Sequence, residues 1–345
     1  MARVWLLGGN GNVGAELIRQ LETDGRDIIT VSRRAADDTH RHQHVQMDLS
    51  APNSALSFGV GDRVVNLTEA TAQHFLSAAL EAGAVFIETS ATENYVLGMR
   101  DAASTAGGHG CFVSCVGVAP GLTNLMAHHV LLRRPDTRHL SIAVELGLGA
   151  HAGPAATRWF FETLGAIDAT GLDRNAYHMS FTSDRPSVPV LPFPFVEERI
   201  LTEAYAPKVE TVRTHLALSP SWVTRILRMG LRLGLGPGFT RHAGAMTGIM
   251  LSGPAFGRAT TRIVVQASDG SARETAGLRL FTGEQGRATA TIIAAVVRSR
   301  RPQPASLVST IVDWVTLEAV IPALEAECPD TLLTPSGRGD DPALS

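Results

Sequence analysis

A glycine-rich stretch near the start of the chain has the residue spacing of a turn that binds phosphate groups. Residues 9–14 read Gly-Asn-Gly-Asn-Val-Gly and follow the pattern G-x-G-x-x-G. In such turns the three glycines allow, in order, a sharp bend, a close approach of the backbone to a pyrophosphate, and tight helix packing on the strand. A predicted strand at 3–7 and a predicted helix at 15–21 flank the pattern, as the motif requires. The residues predicted to bind a dinucleotide diphosphate here are Gly9, Asn10, Gly11, Asn12, Val13 and Gly14.

The residues that follow the second predicted strand, at 27–31, indicate which dinucleotide the turn would bind. They are Ser32, Arg33 and Arg34. A carboxylate at this position would bind the ribose hydroxyls of NAD, whereas arginine suits the 2′-phosphate of NADP. We therefore predict NADP(H) as the cofactor; the alternative is that these arginines only coat a surface loop. Asp48, after a short third strand, is predicted either to contact the adenine or to cap a following helix.

Strands and helices alternate along the first part of the chain. Further strands are predicted at 63–67, 84–88 and 111–116, and a helix is predicted at 71–82. This alternation is typical of a Rossmann domain with a doubly wound parallel sheet, so the predicted fold class is α/β.

The pattern changes after about residue 124, which predicts a second domain. We expect 126–287 to form an α+β domain with a mixed sheet that binds substrate and forms a homodimer. A helical return over 288–328 is predicted to complete the Rossmann domain of 1–125. The remaining residues, 329–345, are polar and rich in glycine and proline, and we predict a flexible tail there.

Four segments resemble the saccharopine dehydrogenase-like oxidoreductases. They are GGNGNVG at 8–14, VVNLTEAT at 64–71, AVFIETSA at 84–91 and GVAPGLTN at 117–124. The last is the most specific, because it fits G-x-x-P-G-[LIV]-[ST]-N where a predicted strand leads into a helix. The resemblance implies a Rossmann fold and a nicotinamide cofactor. Further predicted cofactor contacts in these segments are Leu67, Thr68, Pro120 and Gly121.

Two departures limit what the resemblance implies about the substrate. Thr68 and Glu69 stand where relatives commonly carry Gly-Pro. The lysine that acts in the lysine-forming branch has no counterpart at a matching place. The resemblance therefore does not imply the amino-acid substrate of lysine metabolism.

Three residues are predicted to act on the substrate. Glu69 directly follows a predicted strand and could exchange a proton with a substrate, or serve only as a first-turn acid of a helix. His151 lies in a glycine-rich loop, where an imidazole could relay a proton. Arg158 follows within two turns and could bind a substrate carboxylate, or pair with a neighbouring acid. Further candidates at the ends of predicted strands are Glu88, Thr89, Ser90 and Cys115.

Composition argues against several other functional classes. The formal net charge of −3 gives no bulk attraction to nucleic acid. Residues 40–44 read His-Arg-His-Gln-His, but no predicted carboxylate or thiol cluster lies near them, so we predict no metal site. An odd number of cysteines and the lack of a signal peptide favour free thiols and a cytoplasmic location. No apolar run is long enough for a membrane-spanning helix, and a membrane partner is not expected.

The sequence thus predicts an NADP(H)-dependent oxidoreductase that transfers a hydride to or from a small substrate. The resemblance implies that the reacting group is a C=N/C–N centre. A carbonyl group is the second expectation. One alternative is a redox-neutral enzyme that retains its dinucleotide, as homospermidine synthase-like relatives do. Another is a non-catalytic dinucleotide-binding protein that contacts a membrane through a basic amphipathic helix predicted at 221–233, although such a helix more often packs on a surface or subunit.

Overall fold

The computed structural model describes residues 2–35, 42–150, 152–167, 178–184, 186–270, 276–299 and 306–336. Numbered in chain order, the strands are β1 (Val4–Leu7), β2 (Ile28–Ser32), β3 (Gln43–Gln46), β4 (Arg63–Asn66), β5 (Val85–Glu88), β6 (Cys111–Ser114), β7 (His139–Gly147), β8 (His178–Met179), β9 (Val188–Pro189), β10 (Leu191–Pro192), β11 (Thr211–Ser219), β12 (Thr261–Ser268), β13 (Ala276–Thr282), β14 (Val308–Thr310) and β15 (Leu332–Ser336). The helices are α1 (Asn12–Leu21), α2 (Gln73–Glu81), α3 (Glu93–Thr105), α4 (Thr123–Arg133), α5 (Pro154–Ala166), α6 (Val196–Tyr205), α7 (Ser221–Arg232), α8 (Gly236–Arg241), α9 (Ala243–Ser252), α10 (Gln285–Arg298) and α11 (Leu317–Glu327).

The chain divides into two compact units, which confirms the predicted fold class of a parallel sheet plus a second, mixed sheet. Unit 1 comprises Met1–Leu125 and Gly286–Glu327. Unit 2 comprises Met126–Gln285 and Cys328–Ser345. Every strand pair in the sheet of unit 1 is parallel, whereas the larger sheet of unit 2 contains both parallel and antiparallel pairs.

The sheet of unit 1 has seven strands in the order β14-β6-β5-β4-β1-β2-β3. All four residues of β1, Val-Trp-Leu-Leu, are buried, as expected for strands with helices on both faces. From β1 the chain builds outward to β2 and β3, and then returns to the other side of β1 with β4. The strand order therefore reverses between β1 and β4, and sheets of this kind bind ligands beyond the carboxyl ends of their strands at such a point.

The larger sheet of unit 2 has six strands in the order β10-β11-β7-β12-β13-β15. Its centre holds an ion pair between two neighbouring strands, where the guanidinium of Arg262 on β12 donates to the carboxylate of Glu145 on β7. Both side chains are largely buried. A separate apolar cluster joins α5, α7 and α9 and includes Phe161, Leu164 and Leu231.

Three predictions about the chain need correction. The flexible tail predicted from residue 329 is wrong for its first part, because Leu332–Ser336 pairs with β13 as an edge strand; Pro335 is tolerated because edge strands accept proline. The return predicted as helical over 288–328 also contains a strand, β14, which pairs with β6. Asp48 caps no helix: its carboxylate accepts bonds from the amide and hydroxyl of Ser50 within a turn.

Candidate functional site

The glycine-rich turn joins β1 to α1 at the carboxyl edge of the parallel sheet, and crowding explains two of the three glycines of its motif. A side chain on Gly9 would place its Cβ 2.9 Å from Cβ of Leu6, and one on Gly14 would lie 2.1 Å from the carbonyl oxygen of Gly9. Both positions therefore require glycine. A Cβ on Gly11 would meet only the carbonyl oxygen of Gly8, at 3.9 Å, so the space in front of this residue is open.

The open space lies at the N-terminal end of a helix. Gly11 is the N-cap of α1 and has an extended backbone, with φ −87° and ψ 173°. The first amides of a helix have no carbonyl partner within that helix, and their dipoles favour an anion. Asn10, Gly11 and Asn12 are exposed, while Gly14 is buried beneath them. This arrangement fits a diphosphate that contacts the backbone at Gly11, which is the role predicted from the motif.

A chain of hydrogen bonds joins this turn to the end of β2. The side-chain amide of Asn10 donates to the hydroxyl of Ser32 (2.8 Å), which donates to the carbonyl of Arg34 (3.0 Å). Arg33 and Arg34 are exposed, and their carbonyl oxygens also accept bonds from side chains of β3. The backbone that carries the two guanidinium groups is thus fixed beside the turn.

Asp48 lies on the same side of the sheet, after β3. Two hydrogen bonds from Ser50 lower the pKa of Asp48, and the nearby charge of Arg33 lowers it further. The carboxylate is therefore ionised at neutral pH. Contact between Asp48 and an adenine remains a prediction.

A buried polar cluster occupies the ends of β4 and β5, next to the turn in the sheet. Asn66 and Glu88 are paired residues of these two strands. The side-chain amide of Asn66 donates to Oε2 of Glu88 (2.7 Å), and the amide nitrogen of Ser90 donates to Oε1 (2.8 Å). Burial raises the pKa of Glu88 to about 7, the charge of Glu69 adds to the rise, and hydrogen bonds from Ser90 and Asn66 oppose it. The buried carboxyl group of Glu88 therefore titrates near neutral pH.

The same cluster fixes the loop that follows β4. Nδ2 of Asn66 also donates to the hydroxyl of Tyr95 (3.0 Å), while Oδ1 of Asn66 accepts from the hydroxyl of Thr71 (2.6 Å). The Tyr95 hydroxyl lies 3.1 Å from the carbonyl oxygen of Thr71 and 3.4 Å from that of Thr68. Burial raises the pKa of Tyr95 well above its usual value, so the phenol stays protonated and can donate. Thr68 in turn lies against the glycine-rich turn, because a Cβ on Gly8 would be 3.0 Å from its side chain.

The segment after β6 has an unusual backbone that explains part of its motif. Cys115 is buried and has a φ of +59°, a conformation that non-glycine residues rarely adopt. Gly121 has a φ of +140°, and a Cβ there would lie 3.0 Å from the carbonyl oxygen of Cys115. The side chain of Asn124 accepts a hydrogen bond from the Gly121 amide (2.8 Å). Strain of this kind concentrates at functional sites, and the adjacent Pro120 is buried.

The predicted substrate residues are dispersed. Glu69 is exposed in the loop after β4, within electrostatic reach of Glu88. His151 lies outside the described residues. Arg158 is on α5 in unit 2, with an exposed side chain that pairs with Glu162 at 2.8 Å. The roles of Glu69, His151 and Arg158 remain predictions.

Sequence reasoning missed Asn66, Thr71 and Tyr95 as members of the cluster around Glu88. Their separations along the chain show no motif, because the sheet brings them together. The available signal was a pair of polar residues, Asn66 and Glu88, at the ends of two consecutive apolar strands.

Among the described residues, no group of three or more His, Cys, Asp or Glu is placed to hold a metal ion. Over the same residues, no helix has the length and apolar character needed to cross a membrane.

Comparisons with known proteins identify a fold. No protein-family model matches the chain, and no curated protein matches its sequence. Saccharopine dehydrogenase (L-Glu forming) from Saccharomyces cerevisiae is similar with a TM-score of 0.57 and 12% identity, over 98% of this chain and 100% of that chain. This likeness confirms, at the level of fold, the resemblance drawn from the sequence motifs.

Two further solved structures match over most of their length. An oxidoreductase from Sinorhizobium meliloti has a TM-score of 0.38 and 10% identity, over 96% of this chain and 99% of that one. A probable dehydrogenase from Thermotoga maritima has a TM-score of 0.38 and 13% identity, over 93% of each chain. Because both TM-scores lie below 0.5, neither match bears on the fold of this chain.

Proposed function

We propose that this chain is an NADP(H)-dependent oxidoreductase that transfers a hydride to or from a small substrate. The observation that carries the proposal is the open backbone at Gly11, at the start of α1 and at the point where the strand order reverses. Steric crowding explains the glycines at positions 9 and 14. No crowding explains Gly11, whereas a phosphate group approaching the backbone would.

The residues around the turn would hold the cofactor in a defined orientation. Gly11 and the following amides would bind the diphosphate, and the guanidinium groups of Arg33 and Arg34 would bind a 2′-phosphate. The loop at Leu67 and Thr68, which Tyr95 fixes, would contact the other half of the dinucleotide. When bound, a nicotinamide ring supplies the hydride donor or acceptor.

The side chains at the ends of β4 and β5 would handle the proton that accompanies hydride transfer. Glu69 is exposed and is the proposed group that exchanges a proton with the substrate. Glu88 is fully buried and hydrogen-bonded to Asn66, so we assign it a positioning role that holds the loop of Glu69. A C=N/C–N centre is the proposed reacting group, by analogy with the fold neighbour, and a carbonyl is the alternative.

Removing both arginines tests the choice of coenzyme. Arg33→Ala/Arg34→Ala should weaken NADPH binding about 100-fold or more, since hydrogen bonds to a charged group contribute about 1.5–3 kcal/mol each to binding and two such partners are removed. NADH binding should change less than about threefold, because NADH has no 2′-phosphate to lose a partner. Arg138→Ala, which removes an exposed arginine of unit 2, is the matched control and should leave both affinities unchanged.

Titration calorimetry with each coenzyme provides the measurement. Equal losses for NADPH and NADH would contradict the proposed preference while leaving dinucleotide binding intact. A wild-type protein that prefers NADH would contradict it as well.

A further inference from the structure

Helix α7 exposes a continuous apolar stripe. Trp222, Ile226, Met229 and Leu233 recur at intervals of four, three and four residues, so they share one face of the helix and its C-terminal end. Their exposed fractions are 50%, 61%, 55% and 70%. Large apolar side chains exposed together mark interaction sites more often than side chains exposed singly.

The opposite face of α7 is already packed. The Thr224 hydroxyl bonds to both the amide and the carbonyl of Leu218 on β11 (2.8 and 3.2 Å). Leu231 is fully buried in the apolar cluster of unit 2. The helix is therefore anchored through one face, and its exposed stripe is not needed for the interior of unit 2.

The stripe extends beyond the helix to an aromatic pair. Phe256 stacks on Trp222 with ring centroids 5.9 Å apart and an angle of 17° between the planes. Both rings are about half exposed. Trp and other amphipathic aromatic rings are favoured at the boundary between lipid and water.

The chain segment that carries this face has charges of one sign. Residues 211–268 contain no aspartate or glutamate, although the whole chain has 33 such residues in 345. The arginines in that segment are Arg213, Arg225, Arg228, Arg232, Arg241, Arg258 and Arg262. On α7, Arg225 and Arg232 are exposed and lie on one edge of the stripe, roughly 70–90° around the helix from its centre.

We propose that this face of α7 binds the surface of an anionic lipid bilayer. The apolar stripe would enter the boundary between headgroups and acyl chains, while Arg225 and Arg232 would contact anionic headgroups. The 12 residues of α7 span about 18 Å, less than the roughly 30 Å of a bilayer core, so the helix would lie along the surface.

Charge favours a lipid surface over a second copy of this chain. A two-fold contact would place the same patch of each copy against its counterpart. In an antiparallel contact of this kind the arginine edge of one copy would meet the arginine edge of the other, and residues 211–268 would contribute no acid to the contact. An anionic surface complements the patch, and a self-contact does not.

Sedimentation of the full chain with lipid vesicles tests the proposal. We expect binding to vesicles of equimolar phosphatidylcholine and phosphatidylglycerol, and little binding to phosphatidylcholine alone. Ile226→Ser/Met229→Ser should weaken binding about 100-fold or more, because two buried apolar side chains are lost. Arg225→Gln/Arg232→Gln should weaken it about 30-fold, and high salt should do the same.

Two matched control variants test whether a loss of vesicle binding is specific to this face of α7 or follows from removing any exposed apolar side chains or arginines. Val60→Ser/Leu132→Ser removes two apolar side chains elsewhere that are more exposed than Ile226 and Met229. Arg138→Gln/Arg199→Gln removes two exposed arginines outside the segment. Both should bind vesicles as the wild type does. All variants are first compared with the wild type by thermal unfolding and NADPH binding.

Four outcomes would overturn the proposal. The wild type could fail to bind anionic vesicles, or the controls could lose as much binding as the α7 variants. Equilibrium sedimentation without lipid gives the third: a wild-type dimer that Ile226→Ser/Met229→Ser converts to a monomer would assign this face to a second copy. Equal binding to both kinds of vesicle would overturn the role of anionic headgroups.

Discussion

Replacing Glu88 with glutamine tests the buried carboxyl group at the end of β5. Burial raises the pKa of Glu88 from its ordinary 4.5 to about 7. That rise of about 2.5 pH units corresponds to roughly 3 kcal/mol, at about 1.36 kcal/mol for each unit. Because the folded protein holds this proton more tightly than the unfolded chain, the free energy of unfolding should fall as the pH rises from about 4.5 through about 7. Glu88→Gln removes the titrating group and should remove this part of the slope.

Urea unfolding of the wild type and Glu88→Gln, at intervals between about pH 5 and pH 8, measures the difference in slope. We expect the wild type to lose roughly 2.5 kcal/mol more than the variant over this range. Glu81→Gln is the matched control, since it makes the same chemical change at an exposed position at the end of α2, and it should keep the wild-type slope. Carbon-13 titration of the glutamate carboxyl groups gives an independent value. Parallel slopes for wild type and Glu88→Gln, or a Glu88 resonance that titrates near pH 4.5, would refute the argument.

Two further substitutions test the packing of each unit. Gly14→Ala should lower the free energy of unfolding by about 3 kcal/mol, because its Cβ would lie 2.1 Å from a backbone oxygen of Gly9. The control Gly107→Ala, where a Cβ would meet nothing within 4 Å, should change the thermal stability little. Equal losses of stability in the two variants would contradict the steric explanation. Arg262→Met should destabilise unit 2 by about 3–5 kcal/mol, because it leaves the carboxylate of Glu145 buried without its partner. Adding Glu145→Leu to Arg262→Met should restore much of that loss in urea unfolding, and a double variant no more stable than the single one would show that the charge is not the cause.

The parts of the molecule that sequence predicts well are those set by local chemistry. The turn at 8–14 is recognisable because its glycines are needed at fixed offsets between a buried strand and a helix. The cluster around Glu88 escaped prediction because it depends on the pairing of β4 with β5 and on a side chain from α3. The edge strand β15 was missed for a different reason: a five-residue segment that contains Pro335 has no local signal and is ordered by pairing with β13.

Diphosphate binding at the glycine-rich turn is the central requirement of the proposed function. Calorimetric titration of NADPH into the wild type, Gly11→Val and Gly107→Val tests it most directly. A Cβ at position 11 meets only one atom, at 3.9 Å, so Gly11→Val should lower the thermal stability much less than Gly14→Ala does. Its affinity should fall about 100-fold or more, because its side chain fills the space that a diphosphate would occupy. Gly107→Val, also in open space, should bind as the wild type does. A wild type that binds neither NADPH nor NADH, or a Gly11→Val protein that binds NADPH with undiminished affinity, would contradict the account.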